Sequence, residues 1–344
     1  MEKFNALALG IGSLPHKNAE EAVDLALKSL PQVPFWPQLP RRNQREGMVA
    51  QFMENLPCLR FTEDGIRFDS THKDKELEDF YARIIDGDTD YFKISPDYAL
   101  GLHKFLERLD SSGAPEARFI KCQITGPFTF AAAINDAEGK ALLHDPVFMQ
   151  VILKGLAAKA LWQIKLFRKF KKKIIFFLDE PYLGCFGSAY TPLNREDVVR
   201  GLTELISGIK AQDVLIGAHC CGNTDWTIFT DTAGLDIINF DAFDFQDRFV
   251  LYADALKGFL KKGGAICWGV VPTEGLTDKI SPELLVSKIK SGIDALAKKG
   301  IDRDLLFERM LVSPACGLGS LNIGKSKKIF SLLNETSAIL QKLS

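Results

Sequence analysis

Two stretches of the sequence decide the fold: IIFFLDEP at residues 174–181 and VLIGAHCCG at residues 214–222. Each begins with a short apolar run and ends in polar or reactive side chains. Between them, residues 195–211 have the amphipathic spacing of a helix. A buried strand, a helix and a second buried strand make one unit of a parallel sheet, because parallel strands are covered on both faces and joined by crossover helices.

The same unit recurs along the chain. Eight apolar runs have the length and composition of buried strands; they are Ala6–Ile11, Val33–Trp36, Phe119–Ile124, Ile174–Leu178, Val214–Ala218, Ile237–Phe240, Ala265–Trp268 and Met310–Val312. The amphipathic stretches between them include Ala19–Leu30, Pro146–Phe170, Arg195–Ala211, Phe249–Lys262, Pro282–Lys299 and Ser326–Leu343. Eight strand–helix units in 344 residues predict an α/β fold, a single (β/α)8 TIM barrel rather than an open sheet.

One segment, Arg41–Leu109, breaks this alternation, because it is polar and lacks a clear strand–helix unit. We interpret it as an insertion after the second strand, partly helical, that caps the barrel mouth. No Gly-, Ser- or Pro-rich linker divides the chain. The sequence therefore predicts one catalytic domain over residues 1–344, with an insertion at about 41–109.

The composition is that of an ordinary soluble globular protein. A net charge of -1 gives no electrostatic basis for binding nucleic acid or an anionic membrane. The N-terminus lacks the pattern of a signal peptide, and no apolar run approaches the roughly 18 residues of a membrane span. Seven cysteines without a disulfide framework indicate a reducing cytoplasm, where thiols are free to bind metal.

Reactive side chains follow several predicted strands directly. His219 and Cys221 form an H-x-C pair after the fifth strand, Cys316 follows the eighth, and Asp241 follows the sixth. In a barrel the C-terminal strand ends face one shared site. Zinc prefers thiolate and imidazole, and it accepts carboxylate as a further ligand. Ligands spread over several strands, with no C-x-x-C pair, indicate a catalytic zinc site; the alternative is a hydrogen-bonded histidine beside cysteines that pack as small apolar residues.

The other cysteines are expected to lie in the core; they are Cys58, Cys122, Cys185, Cys220 and Cys267.

An ordered set of short motifs follows the strands across essentially the whole chain. The motifs are Gly10-Ile11-Gly12-Ser13, Thr125-Gly126-Pro127, Asp179-Glu180-Pro181, His219-x-Cys221, Phe240-Asp241 and Pro314-Ala315-Cys316-Gly317-Leu318. No single motif is specific, but the set, in this order and spacing, resembles the catalytic barrel of cobalamin-independent methionine synthase. That family shares a superfamily with uroporphyrinogen decarboxylase. Because the N-terminal barrel of the methionine synthases has no counterpart here, the chain is more similar to the short, single-barrel "core" relatives.

The resemblance implies a zinc site and a thiol substrate. The family binds zinc through a His, two Cys and a Glu; the matching positions are His219, Cys221, Cys316 and Asp241. The aspartate is one methylene shorter than the family's glutamate, so it is either a ligand at adjusted geometry or a neighbour.

The family also holds the amino-acid part of homocysteine. The matching positions for that role are Ile11, Gly12, Ser13 and Asp179. A further family Glu grips the substrate amine after the second strand, where this chain reads Arg41-Arg42-Asn43-Gln44-Arg45-Glu46. Arginine at that place suits a carboxylate better than an amine.

The methyl donor is expected to be a methyl-corrinoid. Folate-dependent relatives have a His just past the seventh strand that protonates the departing folate nitrogen. Residues 268–273 here read WGVVPT and contain no titratable group. Folate is a poor leaving group unless it is protonated, whereas a reduced corrinoid leaves without an acid. The sequence therefore favours a methyl-corrinoid, carried by a partner protein, over methyl-folate.

The expected reaction is methylation of a small thiol. Zinc would ionise the thiol, which is mostly protonated at neutral pH. Asp179 would hold a substrate ammonium, and Glu180 would either help it or pair with a neighbouring backbone group or arginine. The substrate sulfur would displace water or Asp241. The turn at Gly10–Ser13 would receive a carboxylate or serve only as a tight turn. The alternatives are transfer to coenzyme M or another thiol, a metal-free decarboxylase of the uroporphyrinogen type, and a non-enzymatic corrinoid or zinc carrier.

Overall fold

The structure is a computed structural model, and it describes residues 2–188 and 193–343. Seven of the strands in these ranges form one parallel sheet, and two form a separate hairpin. In chain order the strands are β1 (Leu7–Ala8), β2 (Leu59–Thr62), β3 (Gly65–Phe68), β4 (Phe119–Thr125), β5 (Lys173–Asp179), β6 (Val214–Cys220), β7 (Ile237–Asp241), β8 (Ala265–Val271) and β9 (Met310–Pro314). The order β1-β9-β8-β7-β6-β5-β4 describes a curled sheet of the TIM-barrel kind. Seven of the eight predicted strands are confirmed.

The predicted second strand, Val33–Trp36, was wrong as a regular strand. The segment lies between the two edges of the sheet and makes one isolated parallel bridge to each; the bridged pairs are Phe35–Lys121 and Ser13–Gln38. Its sequence contains Pro34 and is followed by Pro37. Proline has no N–H to donate, so a strand with two prolines three residues apart does not sustain a ladder with both neighbours.

Helices connect the strands as predicted. The α-helices are Ala19–Ser29, Lys73–Ile85, Leu100–Ser112, Pro127–Ala132, Pro146–Arg168, Arg195–Ile209, Thr227–Asp231, Gln246–Phe249, Ala253–Lys261, Pro282–Lys298, Arg303–Glu308 and Ile323–Gln341. Short 3-10 helices occur at Gln44–Glu46, Ala50–Phe52, Leu142–His144, Pro181–Cys185 and Val250–Tyr252. Several α-helices begin at a side chain that accepts from first-turn amides, each stabilising its helix by about 1 kcal/mol; these caps are Asn18, Asp145, Asn194, Ser281, Asp302 and Asn322.

The helix Pro146–Arg168 is long and apolar enough to cross a membrane by length and composition alone. However, 67% of its most apolar window is buried inside the fold. Its side chains pack against β4, β5 and the neighbouring helix Arg195–Ile209. This burial is what a core helix requires, because an apolar surface that is already covered by protein is not available to lipid.

The insertion is shorter than expected. The helix Leu100–Ser112 packs on Ala19–Ser29 and belongs with the helices around the sheet. The preceding residues contain the hairpin β2–β3, whose Phe68 ring meets Phe148 edge-on at 4.8 Å. Most of the insertion therefore covers the flank of the fold, and only its first residues, 41–48, reach the mouth.

The side chains inside the curled sheet form two layers. The lower layer is an apolar cluster that includes Phe119, Ile175, Phe177, Ile237 and Leu311. Above it, towards the C-terminal strand ends, the inward positions become polar although they stay buried; they are Lys121, Gln123, Asp179, His219, Asn239 and Ser313. Buried polar groups are costly unless they are hydrogen-bonded. The change from apolar to polar side chains between the two layers marks the floor of a site.

Candidate metal centre

Three metal-ligating side chains meet at the C-terminal end of the sheet. His219 and Cys221 come from the end of β6, and Cys316 follows β9. The possible ligand atoms of these three residues all lie within 4.8 Å of one another. In a tetrahedral zinc site with Zn–S near 2.3 Å and Zn–N near 2.0 Å, ligand atoms are about 3.5–3.8 Å apart. The cluster therefore needs only small side-chain adjustments to hold one zinc ion.

Cys221 is positioned by the close approach of two turns, one after β5 and one after β6. The Cα of Gly222 lies against Gly184, and a Cβ added at Gly184 would approach that Cα to 2.9 Å. Any side chain at either position would separate the turn after β6 from the turn after β5. The two glycines thus allow the Cys221 turn to stay close to the strand ends.

A buried amide fixes the orientation of the His219 ring. The Asn239 Nδ2 donates to the Cys267 carbonyl oxygen and to Ser313 Oγ, both at 2.9 Å. Because a carbonyl only accepts, the amide oxygen must face His219 Nδ1 and accept its proton. The neutral ring then carries its lone pair on Nε2, which is buried and directed towards Cys316. This is the tautomer and the free nitrogen that a metal ligand requires.

The Cys221 and Cys316 thiols lie close enough to perturb each other's ionisation. Their hydrogen bond lowers the pKa of Cys221, and the same contact together with burial raises the pKa of Cys316. A cation bound between the two sulfurs would stabilise both thiolates, and the thiol protons would be released to solvent. Together with the His219 imidazole nitrogen, the two thiols form a donor set that fits zinc.

Asp241 does not belong to the cluster of atoms that lie within 4.8 Å of one another. Its Oδ1 accepts from the backbone N–H groups of Phe243 and Asp244, at 2.9 and 3.0 Å. Burial raises the pKa of this carboxyl, and the backbone bonds oppose that change. Asp241 thus organises the turn after β7, and its assignment as a fourth ligand stays a prediction.

A cavity of about 440 Å³ opens above the three ligands. Its walls include Ile11 and Ser13 from the turn after β1, and Asp179 from the end of β5. The structure thus brings these three predicted substrate residues together with His219, Cys221 and Cys316. Gly12 lies between two of the lining residues, and its carbonyl oxygen accepts from the Gln38 N–H at 3.0 Å.

Two carboxyl groups, those of Asp179 and Glu46, line the cavity wall. Asp179 Oδ1 is buried without a hydrogen-bond partner, whereas the Glu46 carboxyl pairs with Arg42 and accepts from the backbone N–H groups of Leu39 and Leu100. Burial raises the pKa of Asp179, while Lys121 and His219 oppose the change. Burial also raises the pKa of Glu46 to about 7, against the opposing effect of Arg42. Sequence reasoning reached the segment 41–46 without singling out Glu46. The available signal was an acid four residues after Arg42, since that spacing pairs the two side chains on one helical turn.

A positively charged side chain lies at the cavity rim. Arg41 is exposed, and its guanidinium donates to the carbonyl oxygens of Gly319, at 3.1 Å, and Ser320. All three residues line the cavity. The rim therefore carries a cation above a wall that carries two carboxyl groups.

Glu180 has a different environment from that expected of a substrate residue. It is fully buried, and its carboxylate accepts from the Phe128 and Thr129 N–H groups at 2.9 and 2.8 Å. The Thr129 hydroxyl donates a third hydrogen bond. These contacts cap the helix Pro127–Ala132, and Glu180 is not among the lining residues of the cavity. A carboxylate at a helix N-terminus stabilises the helix dipole.

Lys121 was not singled out from the sequence, although it is fully buried beneath the site. Its ammonium donates to the Ile11 carbonyl oxygen and to Gln123 Oε1 and lies 4.9 Å from the centre of the Phe177 ring. Burial lowers its pKa to about 8, and Asp179 opposes this change. The lysine supports the turn that follows β1.

The remaining cysteines lie largely as predicted. Cys58, Cys122, Cys220 and Cys267 are buried. The prediction for Cys185 was wrong: this thiol is exposed, because it ends a short 3-10 helix after β5 and does not face the core.

Comparison with solved structures finds the same fold in a B12-independent methionine synthase from Shewanella sp. W3-18-1, solved in complex with selenomethionine. The alignment covers 98% of each chain, with 15% sequence identity and a TM-score of 0.56. At this identity the likeness shows the fold alone. No protein-family model matches the chain, and no curated protein matches it significantly.

Proposed function

We propose that the protein is a zinc-dependent S-methyltransferase that methylates a small amino-acid thiol, homocysteine to methionine in the first instance. The observation that carries this proposal is the meeting of His219, Cys221 and Cys316 at the floor of a cavity. A fold shared with a methionine synthase is consistent with it. The cavity leaves one side of the three ligands open, as a catalytic zinc site requires.

The ligands and their neighbours have separate roles in this proposal. Zinc, when bound, would ionise an incoming thiol and keep its sulfur nucleophilic at neutral pH. His219 is held in the ligating tautomer by Asn239, so its ring has no need to reorient during the reaction. Cys221 and Cys316 supply the two thiolates. The walls orient the substrate, and much of the rate enhancement would come from that positioning.

The charges in the cavity favour a zwitterionic acceptor. The carboxyl group of Asp179, which lines the cavity, would accept from an ammonium group. The Arg41 guanidinium at the rim would attract a carboxylate. An α-amino thiol acid such as homocysteine carries both groups. Coenzyme M carries a sulfonate and no ammonium, so it would leave the buried Asp179 carboxyl group without a hydrogen-bond donor from the ligand, which is unfavourable.

For the methyl donor we propose a methyl-corrinoid presented by a carrier protein. Among the described residues that line the cavity, His219 is the only imidazole, and it is assigned to the metal. A methyl-folate donor would need a proton source, and Glu46, with a pKa of about 7, is the residue that could serve. A comparison of the two donors with Glu46→Gln therefore discriminates between them: loss of turnover with methyl-folate alone would assign that role to Glu46.

The test begins with metal content. Purified protein is expected to contain close to one zinc per chain, and His219→Ala and Cys316→Ala are expected to lose it. Cys185→Ala is the matched control, because this thiol is exposed and outside the cluster. Full zinc retention in both ligand variants would contradict the assignment.

Turnover then separates the candidate functions. Methyl-cobalamin and homocysteine are expected to give methionine, while coenzyme M is expected to react poorly. A metal-free protein that decarboxylates a tetrapyrrole would instead support the uroporphyrinogen decarboxylase alternative. Zinc binding without turnover of any methyl-corrinoid and thiol pair would support a carrier.

A further inference from the structure

Gln38 is held in one orientation by a relay of two buried amides. Gln51 Nε2 donates to the Tyr98 carbonyl oxygen at 2.8 Å, so Gln51 Oε1 must face the other way. That oxygen accepts from Gln38 Nε2 at 2.9 Å. Both glutamines are buried. The relay leaves Gln38 Oε1 as the end of the chain, with its acceptor orbitals directed away from Gln51.

The free end of Gln38 lies at the cavity wall. Gln38 lines the cavity, and its Oε1 lies so close to Gly12 that a Cβ added there would approach it to 2.7 Å. The backbone holds the same arrangement, since the Leu14 N–H donates to the Gln38 carbonyl oxygen at 2.9 Å. Gly12 is therefore required to leave room for this amide. Within residues 2–188 and 193–343, no donor is hydrogen-bonded to Gln38 Oε1.

The cavity wall thus presents the carboxyl group of Asp179 and the amide oxygen of Gln38 as acceptors. A primary ammonium has three N–H donors. We propose that Gln38 is a specificity-determining residue that accepts one N–H of the substrate ammonium beside Asp179, and that Gln51 is the residue that positions it. This inference rests on the proposed function and deepens it.

A neutral amide suits this place better than a third carboxyl group. Two carboxyl groups already face the cavity, and a third negative charge would be poorly compensated in a buried site. The amide also adds direction, because the relay fixes which of its two polar atoms faces the ligand. The pair would therefore distinguish a thiol with an ammonium group from the same thiol without one.

The test is a binding measurement on the zinc-loaded protein. Isothermal titration with homocysteine and with 4-mercaptobutyrate, its analogue without the amino group, gives the ratio of the two dissociation constants. Gln38→Leu is expected to weaken homocysteine about ten- to hundredfold, as for loss of a hydrogen bond to a charged group, and to change 4-mercaptobutyrate less than threefold.

Two further variants separate this role from a structural one. Gln51 contacts Gln38 on the side away from the free oxygen. The substitution Gln51→Leu is therefore expected to reduce the ratio of the two dissociation constants by a smaller factor than Gln38→Leu. Gln246→Leu removes a buried amide that is not among the lining residues of the cavity, and it is expected to leave the ratio unchanged. If Gln38→Leu does not fold, the ratio of dissociation constants measured for Gln51→Leu tests the inference on its own.

The possible results are distinguishable. An unchanged ratio in Gln38→Leu and Gln51→Leu, in proteins that retain zinc, would overturn the inference and leave the proposed function intact. A natural protein that binds both thiols equally would also overturn it. A natural protein that binds neither thiol would contradict the proposed function itself.

Discussion

The replacement Asn239→Leu is expected to weaken zinc binding although the residue is not a ligand. The asparagine makes three buried contacts: it accepts from His219 Nδ1 and donates to the Cys267 carbonyl and to Ser313 Oγ. Leucine has a similar volume and none of these functions. The ring of His219 would then be free to place its proton on Nε2, which is the nitrogen that faces the other two ligands.

The expected magnitude follows from those contacts. Loss of a partner that orients a ligating histidine typically reduces metal affinity about 10- to 100-fold, which corresponds to about 1.4–2.7 kcal/mol. The zinc-free protein should also lose about 1–3 kcal/mol of unfolding free energy, because buried polar groups lose their partner. The zinc affinity is measured by competition with a chelating indicator, and the stability by denaturant unfolding of the zinc-free protein.

The control is Gln246→Leu, which removes a buried amide elsewhere and is expected to change stability without changing zinc affinity. If Asn239→Leu lowers the unfolding free energy but binds zinc within threefold of the natural protein, the orientation argument is refuted. The histidine would then be held by the strand alone.

Three other predictions concern Asp241, Glu180 and Lys159, a buried lysine of the helix Pro146–Arg168. Asp241→Ala should reduce zinc content less than Cys221→Ala, by elemental analysis, because Asp241 already accepts two backbone N–H groups; equal losses would make it a full ligand. Glu180→Gln should lower the unfolding free energy by about 1–3 kcal/mol and leave the KM for homocysteine unchanged, since its contacts cap a helix; a raised KM would return it to the substrate site. Burial lowers the pKa of Lys159 to about 7, so the folded state binds fewer protons than the unfolded state between about pH 7 and 10.5. Relative to Lys159→Met, the unfolding free energy of the natural protein should therefore rise with pH over that range and decline as pH falls towards 7; a constant difference would contradict the shift.

Seven strands were predictable because buried parallel strands are almost wholly apolar and end in a change of polarity. In β5 the run 174–178 ends at Asp179, and in β6 the run 214–218 ends at His219. The segment 33–36 has the same apolar composition, yet Pro34 and Pro37 deny it a regular ladder. Hydrophobicity alone therefore overestimated the strand count, and the prolines were the signal against it.

The hairpin β2–β3 was missed although its signals are present. Leu59 and Phe61 alternate with polar residues, as do Ile66 and Phe68, and a Glu63-Asp64-Gly65 turn separates the two runs. Asp-Gly between alternating apolar residues is a strong hairpin pattern. It was masked by the high overall polarity of the insertion, which favours interpretation as a loop.

The candidate ligands were predictable because each follows a regular strand, and the ends of parallel strands converge. Glu46 and Gln38 were not, because they lie in a 3-10 turn and an irregular segment. Their positions depend on contacts distant in sequence, such as Gln38 with Gly12 and Gln51. For Glu180 the sequence left a substrate role and backbone pairing open, and the structure shows that its carboxylate accepts from the backbone of the neighbouring helix.

The most direct test is zinc X-ray absorption on the loaded protein before and after homocysteine is added. The account predicts two sulfur ligands and one imidazole from Cys221, Cys316 and His219 in the free protein, and a third sulfur once the thiol is bound. A zinc site with no sulfur ligands, or one whose sulfur count does not change with saturating homocysteine, would contradict it.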